Sequence, residues 1–214
     1  MPERTIYSIK EIYYTLQGEG AHAGRPALFC RFSGCNLWSG REEDRTSAIC
    51  TFCDTDFRGM DGPLGGRYLA TELVDVLRSL WPQNGEGKPY VVCTGGEPLL
   101  QLDESLINVF HEAGFEVGVE TNGTIGAPEG IDWICVSPKA GSELIQLSGN
   151  ELKLVFPQDG LDPLDFMHLP FDHFYLQPMD GPALKHNTQK SIDFCLAHPQ
   201  WHLSLQTHKF TGIP

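Results

Sequence analysis

Basic residues are scarce in this sequence: 15 Lys and Arg stand against 28 Asp and Glu, a formal net charge of -13 at pH 7. A chain of that sign lacks the clustered cations that displace counterions from a phosphate backbone or hold a protein to an anionic bilayer. Nucleic acid as a direct partner and a membrane surface are both disfavoured. Long apolar runs are missing too. Nowhere do the roughly 18 consecutive apolar residues of a transmembrane helix occur, and the opening MPERTIYSIKEIYY has no apolar run of leader length. The expected location is the cytoplasm. Internal repeats, low-complexity tracts and an interdomain linker are absent, and 214 residues suit one sizeable core, so a single domain is expected over 1–214. The cysteines do not form an even set: there are 7, which fits a reducing compartment better than a disulfide framework.

What is present is concentrated in one loop. Cys35 is followed, after fourteen residues, by Cys50-Thr51-Phe52-Cys53. Three thiolates are an odd number for a closed structural zinc site, which wants four ligands, but they suit an iron-sulfur cubane with one iron left open. Cys30, Cys93, Cys135 and Cys195 lie in apolar settings and read as small core residues. Inside the long interval, Ser39 and Glu42 have the form of a helix capping box, so Arg41 to Arg45 reads as a short solvated helix that serves as a spacer.

Strands are expected at Ala27 to Phe32, Tyr90 to Cys93, Phe115 to Val119, Trp133 to Val136, Glu151 to Phe156, His173 to Leu176 and Trp201 to Leu205. Helical spacing of Leu73, Val74, Leu77, Leu80 and Trp81 predicts a helix over Thr71 to Trp81. A second is capped by Asp103 and ended by Gly114, and a third runs from about Thr188 to His198. The Gly- and Pro-rich stretch Gly59 to Gly66 reads as a surface loop. Strands alternating with helices imply parallel pairing through right-handed crossovers. After the strands come Thr94-Gly95-Gly96-Glu97-Pro98, Glu120-Thr121-Asn122, Ser137-Pro138-Lys139, Gln177-Pro178-Met179-Asp180 and Gln206-Thr207-His208. In a parallel barrel these all face one end, where active sites are built. The GGEP glycines let backbone approach a ligand closely, with a carboxylate beside it.

Clustered cysteines followed by a strand-borne GGEP resemble the radical S-adenosylmethionine enzymes. Within them YTLQGEG, GRPA, CRFSGCNLWSG, FCDTDF, CTGGEP, ETNG, ICVSPK, NELK, QPMDGP and QTHK resemble the 7-carboxy-7-deazaguanine synthases in their short-chain bacterial form, from about Ile9 to Pro214. One departure from the superfamily is the interval of fourteen residues, where most members have three between the first two cysteines; some synthases share the long form. The resemblance implies a partial, modified TIM-like (β/α)6 barrel. It also implies a carbon-nitrogen lyase of queuosine precursor synthesis, which converts 6-carboxy-5,6,7,8-tetrahydropterin to 7-carboxy-7-deazaguanine and ammonia. Cys35, Cys50 and Cys53 would hold a 4Fe-4S cluster whose fourth iron binds S-adenosylmethionine, the source of a 5'-deoxyadenosyl radical.

For that cofactor the resemblance implies Phe52, Gly96, Ser137, Pro138, Lys139, Gln177, Pro178, Met179 and Asp180. For the pterin it implies Leu16, Gln17, Gly18, Arg31, Thr94 and the chain end at Pro214, with Glu120, Asn122 and His208 as further candidates. Arg31 also stands out by itself, because a guanidinium on an apolar strand needs an anion: the substrate carboxylate, or a structural ion pair. Thr55, within Asp54-Thr55-Asp56, is implied as a magnesium ligand; without the resemblance, an aspartate is the natural choice. An electron donor of the flavodoxin or ferredoxin type and a homodimer are implied as well. Two other readings compete. A zinc module would need a fourth ligand, yet no His follows His22 close to the cysteines, and it leaves GGEP unexplained. A thioredoxin-like dithiol leaves Cys35 idle.

Overall fold

Nine strands form one sheet in the computed structural model, in the order β3-β1-β2-β4-β5-β6-β7-β8-β9. The structure describes residues 5–83 and 86–214. Residues 1–4, which open both the stretch read for a leader and the expected domain, lie outside it, as do residues 84–85. The strands are β1 (Tyr7–Leu16), β2 (Pro26–Phe32), β3 (Gly66–Tyr68), β4 (Tyr90–Gly95), β5 (Glu116–Thr121), β6 (Trp133–Val136), β7 (Gly149–Phe156), β8 (Phe171–Pro178) and β9 (Trp201–Leu203). From β2 through β4 to β9 every pair is parallel, whereas β1 runs antiparallel to both β2 and β3. The α/β expectation agrees with this sheet, and its helical layer is thin. The helices are α1 (Ala70–Leu80), α2 (Glu104–Glu112), α3 (Leu184–Ala197) and α4 (Thr207–Thr211). Among the described residues the connections after β5, β6 and β7 carry no α-helix.

Helices and strands form where the apolar pattern puts them. α1 buries Leu73, Val74 and Leu77, and α2 buries Leu106, Ile107 and Phe110. Both pack on the outer face of the sheet against Leu28, Cys30, Val91, Cys93, Val117 and Val119. Asp103 caps α2 by accepting from Leu106 N at 2.9 Å, worth about 1 kcal/mol. The same oxygen accepts from Tyr7 Oη at 2.8 Å, which ties the cap to β1. Gly114 ends the turn at a φ of 89°, as its position suggests. A second cluster, built on Val136, Leu152, Leu154, Leu176 and Trp201, takes in Phe194 and the half-buried Cys195 of α3.

One local expectation needs correction and another needs detail. Ser39 caps no helix: its Oγ donates to Asp44 Oδ2 at 2.6 Å and accepts from Arg41 N at 3.2 Å, and Glu42–Ser47 forms a 3-10 segment in place of an α-helix. The stretch from Gly59 to Gly66 is a surface loop as expected, and it is pinned to the sheet. Pro63 O accepts from Ile12 N at 2.8 Å and Gly62 N donates to Lys10 O at 3.1 Å, so it is laid along β1. A Cβ on Gly65 would collide with Lys10 O, which is why glycine sits there.

The sheet curls until its two sides meet. Thr207 N, past β9, donates to Gly18 O, past β1, at 3.0 Å; Gly20 N donates to Ser204 Oγ at 2.9 Å, and Gln206 Nε2 to Glu19 Oε1 at 3.0 Å. This seam joins the residues after antiparallel β1, beside the start of β2, to those after β9, and turns an open sheet into a partial barrel with an interior.

Candidate active site

Successive residues on each strand alternate between the helix side and the barrel interior, and the interior set turns polar toward the C-terminal ends. Phe29 is followed by Arg31 on β2, Val92 by Thr94 on β4 and Cys135 by Ser137 at β6. β7 contributes Lys153 and Val155, and β8 contributes Gln177. All of these except Val92 line a cavity of about 440 Å³, within the range of roughly 300–1,000 Å³ usual for small-molecule sites. Leu16, Gln17, Gly18, Cys50, Phe52, Cys53, Thr55, Gly96, Lys139, Pro178, Met179, Asp180 and Pro214 line it as well, as do Glu120, Asn122 and His208. Of the residues expected to form the site, only Cys35 and Pro138 are missing from the lining.

Cys35 stands directly behind the lining. A Cβ on Gly96 would lie 2.6 Å from Cys35 Cβ and would collide with Gly34 O, so only glycine lets the β4 turn seat against the cysteine loop. Glu97 N donates to Gly34 O at 2.9 Å and locks that contact. All three loop thiols are free, and they sense one another's charge. Hydrogen bonding from Cys50 pulls the Cys53 thiol down to about 6 while Cys50 itself is pushed up; Lys139 favours the thiolate on both. Burial raises the Cys35 thiol, against hydrogen bonds from the backbone of Leu37 and Trp38. Among the described residues no three His, Cys, Asp or Glu side chains close on a point as a single metal ion would require. Two thiols open to a cavity, with Cys35 behind them against the glycine cradle, are residue types that fit a cluster with a free corner.

The GGEP carboxylate is not beside the ligand space, contrary to the sequence expectation. Glu97 is fully buried; it accepts from Leu99 N at 2.9 Å, Thr121 Oγ1 at 2.9 Å and Asn122 N at 2.8 Å. Burial pushes its carboxyl up, and those donors oppose the shift. Its work is to clamp the end of β4 to the end of β5. Asn122 in turn donates to Asn36 Oδ1 at 3.0 Å and so reaches the loop after Cys35.

On the far side, Lys139 Nζ donates to Ser137 O at 2.7 Å and Ser137 Oγ at 2.6 Å, and burial lowers its pKa. Gln158 holds the turn by accepting from Ala140 N at 3.0 Å and donating to Pro138 O at 3.3 Å. At the β8 end Gln177 Oε1 accepts from Ser204 Oγ at 3.3 Å, and Met179 O from Asn187 Nδ2 at 2.9 Å. Lys209, on α4, joins Asp180 to Asp54 (2.6 Å to Asp54 Oδ2), which couples this turn to the cysteine loop.

Arg31 has found a structural anion. Its Nε donates to Glu11 Oε1 at 2.8 Å and its Nη2 to Tyr13 Oη at 2.9 Å. Neighbouring it, Glu120 accepts from Gln17 Nε2 at 3.1 Å, Thr94 Oγ1 at 3.1 Å and Lys153 Nζ at 3.4 Å. Lys153 also pairs with Glu19 at 2.7 Å. Burial works against the Lys153 charge, but the surrounding acids hold it well above the ordinary lysine range. Despite its own burial, Glu19 is held down to about 2 by Lys153. Cys135 is more than a core filler: it lines the cavity and its Sγ donates to Glu151 Oε1 at 3.5 Å. Lys10, another lining residue, pairs with Asp56 at 2.8 Å and Asp61 at 2.7 Å. Glu19, Lys153 and Lys209 lie within YTLQGEG, NELK and QTHK without having been singled out as site residues, and Lys10 lies in none of the motifs. Lys10 and Lys153 carry the signal that singled out Arg31, a charge within an apolar strand.

A curled parallel sheet whose strand ends gather a thiol loop, a glycine cradle and a polar cavity puts the chain among the radical S-adenosylmethionine enzymes. No protein-family model matches it. A 7-carboxy-7-deazaguanine synthase of Bradyrhizobium diazoefficiens is 62% identical over 208 residues, spanning 97% of this chain and 99% of that protein. The synthase of the same name from Bacteroides thetaiotaomicron is 42% identical over 96% of this chain and 97% of its own length. That of a Synechocystis species is 32% identical, covering 97% and 93%. The crystal structure of QueE from Escherichia coli aligns with a TM-score of 0.69 at 28% identity, over 95% of both chains. The chain belongs to the 7-carboxy-7-deazaguanine synthase family.

Proposed function

We propose that this chain is a carbon-nitrogen lyase that converts 6-carboxy-5,6,7,8-tetrahydropterin to 7-carboxy-7-deazaguanine with release of ammonia. The observation that carries the reading is convergence: residues spread from Leu16 to Pro214 line one cavity beside Cys50 and Cys53. When bound, a 4Fe-4S cluster and S-adenosylmethionine supply the radical that takes a substrate hydrogen, and the protein contributes position and exclusion of water.

Cys35, Cys50 and Cys53 are the cluster ligands in this reading. The Gly95-Gly96 backbone, Ser137, Lys139 and the Gln177 to Asp180 turn face the space next to them and offer donors and acceptors for a nucleoside and an amino-acid carboxylate, with Phe52 and Met179 as apolar wall. Across the cavity, Gln17, Thr94 and Glu120 form a joined set suited to the amide and amine edge of a pterin. Arg31 keeps Nη1 free of its bonds to Glu11 and Tyr13 for the substrate carboxylate. Thr55 is favoured over its neighbours as the magnesium ligand because Lys209 engages Asp54 and Lys10 engages Asp56. The Pro214 backbone oxygen, which accepts from Thr15 Oγ1 at 3.3 Å, puts the end of the sequence at the same cavity.

The reading includes a cytoplasmic setting, an electron donor of flavodoxin or ferredoxin type, a homodimer and one domain over 1–214; the continuous sheet supports the last. Among the described residues no helix is long and apolar enough to cross a membrane. The test is anaerobic purification with iron and sulfide analysis, then incubation with the pterin, S-adenosylmethionine, magnesium and a reductant. Near four irons and sulfides per chain, with formation of the deazaguanine and ammonia, are expected of such a cluster. A zinc-loaded, iron-free protein without turnover would refute the reading.

A further inference from the structure

The fourteen-residue interval between Cys35 and Cys50 folds back on the cysteines. Its 3-10 segment, Glu42–Ser47, presents Arg45, whose guanidinium lies over the ring of Trp38 at 4.0 Å. Trp38 is buried, packs edge-on against Phe57 at 5.6 Å and donates from Nε1 to Arg41 O at 3.1 Å, so the platform is rigid. From that platform Arg45 Nη1 donates to Thr51 O at 2.9 Å and to Cys53 O at 3.0 Å. The opposite side of the guanidinium is held by both carboxylate oxygens of Glu42. Thr51 and Cys53 flank Phe52, so the carbonyls Arg45 gathers are those that shape the Cys50 to Cys53 turn. Arg45 also lies close enough to Cys50 and Cys53 for their charge to act on it. The expectation of a mere spacer is therefore incomplete.

We propose that Arg45 is a positioning residue for the cluster, supplied by the long cysteine interval: it fixes the Cys50 to Cys53 turn through its carbonyls and sets the local charge in opposition to Glu42. The inference rests on the proposed cluster assignment. Two features make arginine suited to it. Its planar fork can stack on an indole, grip a carboxylate with two nitrogens and still direct a third at backbone oxygens, which a lysine cannot do. The Arg45-Glu42 pair is also oriented, positive end toward the cysteines, so removing either member changes the field there in a predictable sense.

The test uses the reconstituted holoenzyme and two substitutions on this exposed segment, Arg45→Met and Glu42→Gln. Arg45→Met should release iron to a chelator several-fold faster than wild type and lower the midpoint potential of the cluster, because Glu42 is left uncompensated. Glu42→Gln should shift the potential the other way, since the Arg45 charge is then unopposed. Opposite signs are what a purely structural role would not produce. If both substitutions shift the potential in the same sense, or if Arg45→Met matches wild type in iron release and potential, the inference is overturned. A wild-type protein that takes up no iron and sulfide would instead overturn the cluster assignment, so the two failures are distinguishable.

Discussion

Replacing Glu97 probes the joint between two strand ends that carry the site. The Glu97 carboxylate is fully buried and accepts three hydrogen bonds, two from the backbone of Leu99 and Asn122 and one from Thr121 Oγ1. In Glu97→Ala these donors lose their acceptor where water is not at hand, and each such loss costs about 1–3 kcal/mol. Partial relaxation into the vacated space lowers the total, so the expected loss is about 4 kcal/mol, a large part of the ~5–15 kcal/mol that holds a typical domain. For a chain of this size that corresponds to a Tm lower by about 8–16 °C. Glu97→Gln keeps an oxygen for Leu99 N and Thr121 Oγ1 but turns an amide N–H toward Asn122 N, so a smaller loss of about 2 kcal/mol is expected. Thermal and denaturant unfolding followed by circular dichroism give both numbers, with the exposed Glu129→Gln as a control expected within about 0.5 kcal/mol of wild type. Wild-type stability in Glu97→Gln combined with lost cofactor affinity would refute the clamp and return Glu97 to the role of ligand.

Cys35→Ala, Cys50→Ala and Cys53→Ala should each abolish reductive cleavage of S-adenosylmethionine, while Cys93→Ala and Cys195→Ala retain iron; iron loss in Cys195→Ala with retention in Cys35→Ala would reverse the assignment. Chelation of magnesium should slow turnover far more than cofactor cleavage, and Thr55→Ala should weaken that dependence; equal loss of both partial reactions places the ion elsewhere. A tag fused after Pro214 should raise the substrate KM or stop turnover, whereas wild-type kinetics from such a fusion would leave the chain end without a role at the cavity. The Glu19 carboxyl is depressed from 4.5 to about 2 by Lys153, so its stabilisation is present above the upper value and is lost as pH falls through the lower. The denaturant midpoint should decline across that interval in wild type and less steeply in Glu19→Gln; parallel profiles would show that the pair contributes little.

The parallel strands were legible because each is a short apolar run that delivers a polar cluster, and β6 coincides with its expected bounds, Trp133 to Val136. β1 was not, for a definable reason. A bulge between Ile9 and Glu11 shifts its register, so Tyr7, Ile9, Lys10 and Ile12 are all buried and strict alternation fails. The site residues on strand ends were readable through motifs, but the partners that hold them were not. Lys209 closes the QTHK motif, but nothing there says what it pairs with until the fold sets it between Asp54 and Asp180. Glu97 misled because a motif names a residue type and not the direction its side chain takes. Arg31 shows both outcomes at once: the ion pair with Glu11 is real, and the guanidinium still borders the cavity.

The seam between Gly18 and Thr207 has a consequence for how the protein is made. Its hydrogen bonds join residues 189 positions apart, so the barrel interior cannot close until residue 207 has left the ribosome. The cysteine loop emerges long before Lys209, the side chain that braces it through Asp54. At about 5–20 residues per second, that interval is on the order of 10–30 s. During it the three thiols lack the wall that later encloses them and are open to oxidation. Loading of the proposed cluster would therefore await emergence of residue 207, and a ribosome stalled before that point exposes the cysteines to oxidation for as long as it waits.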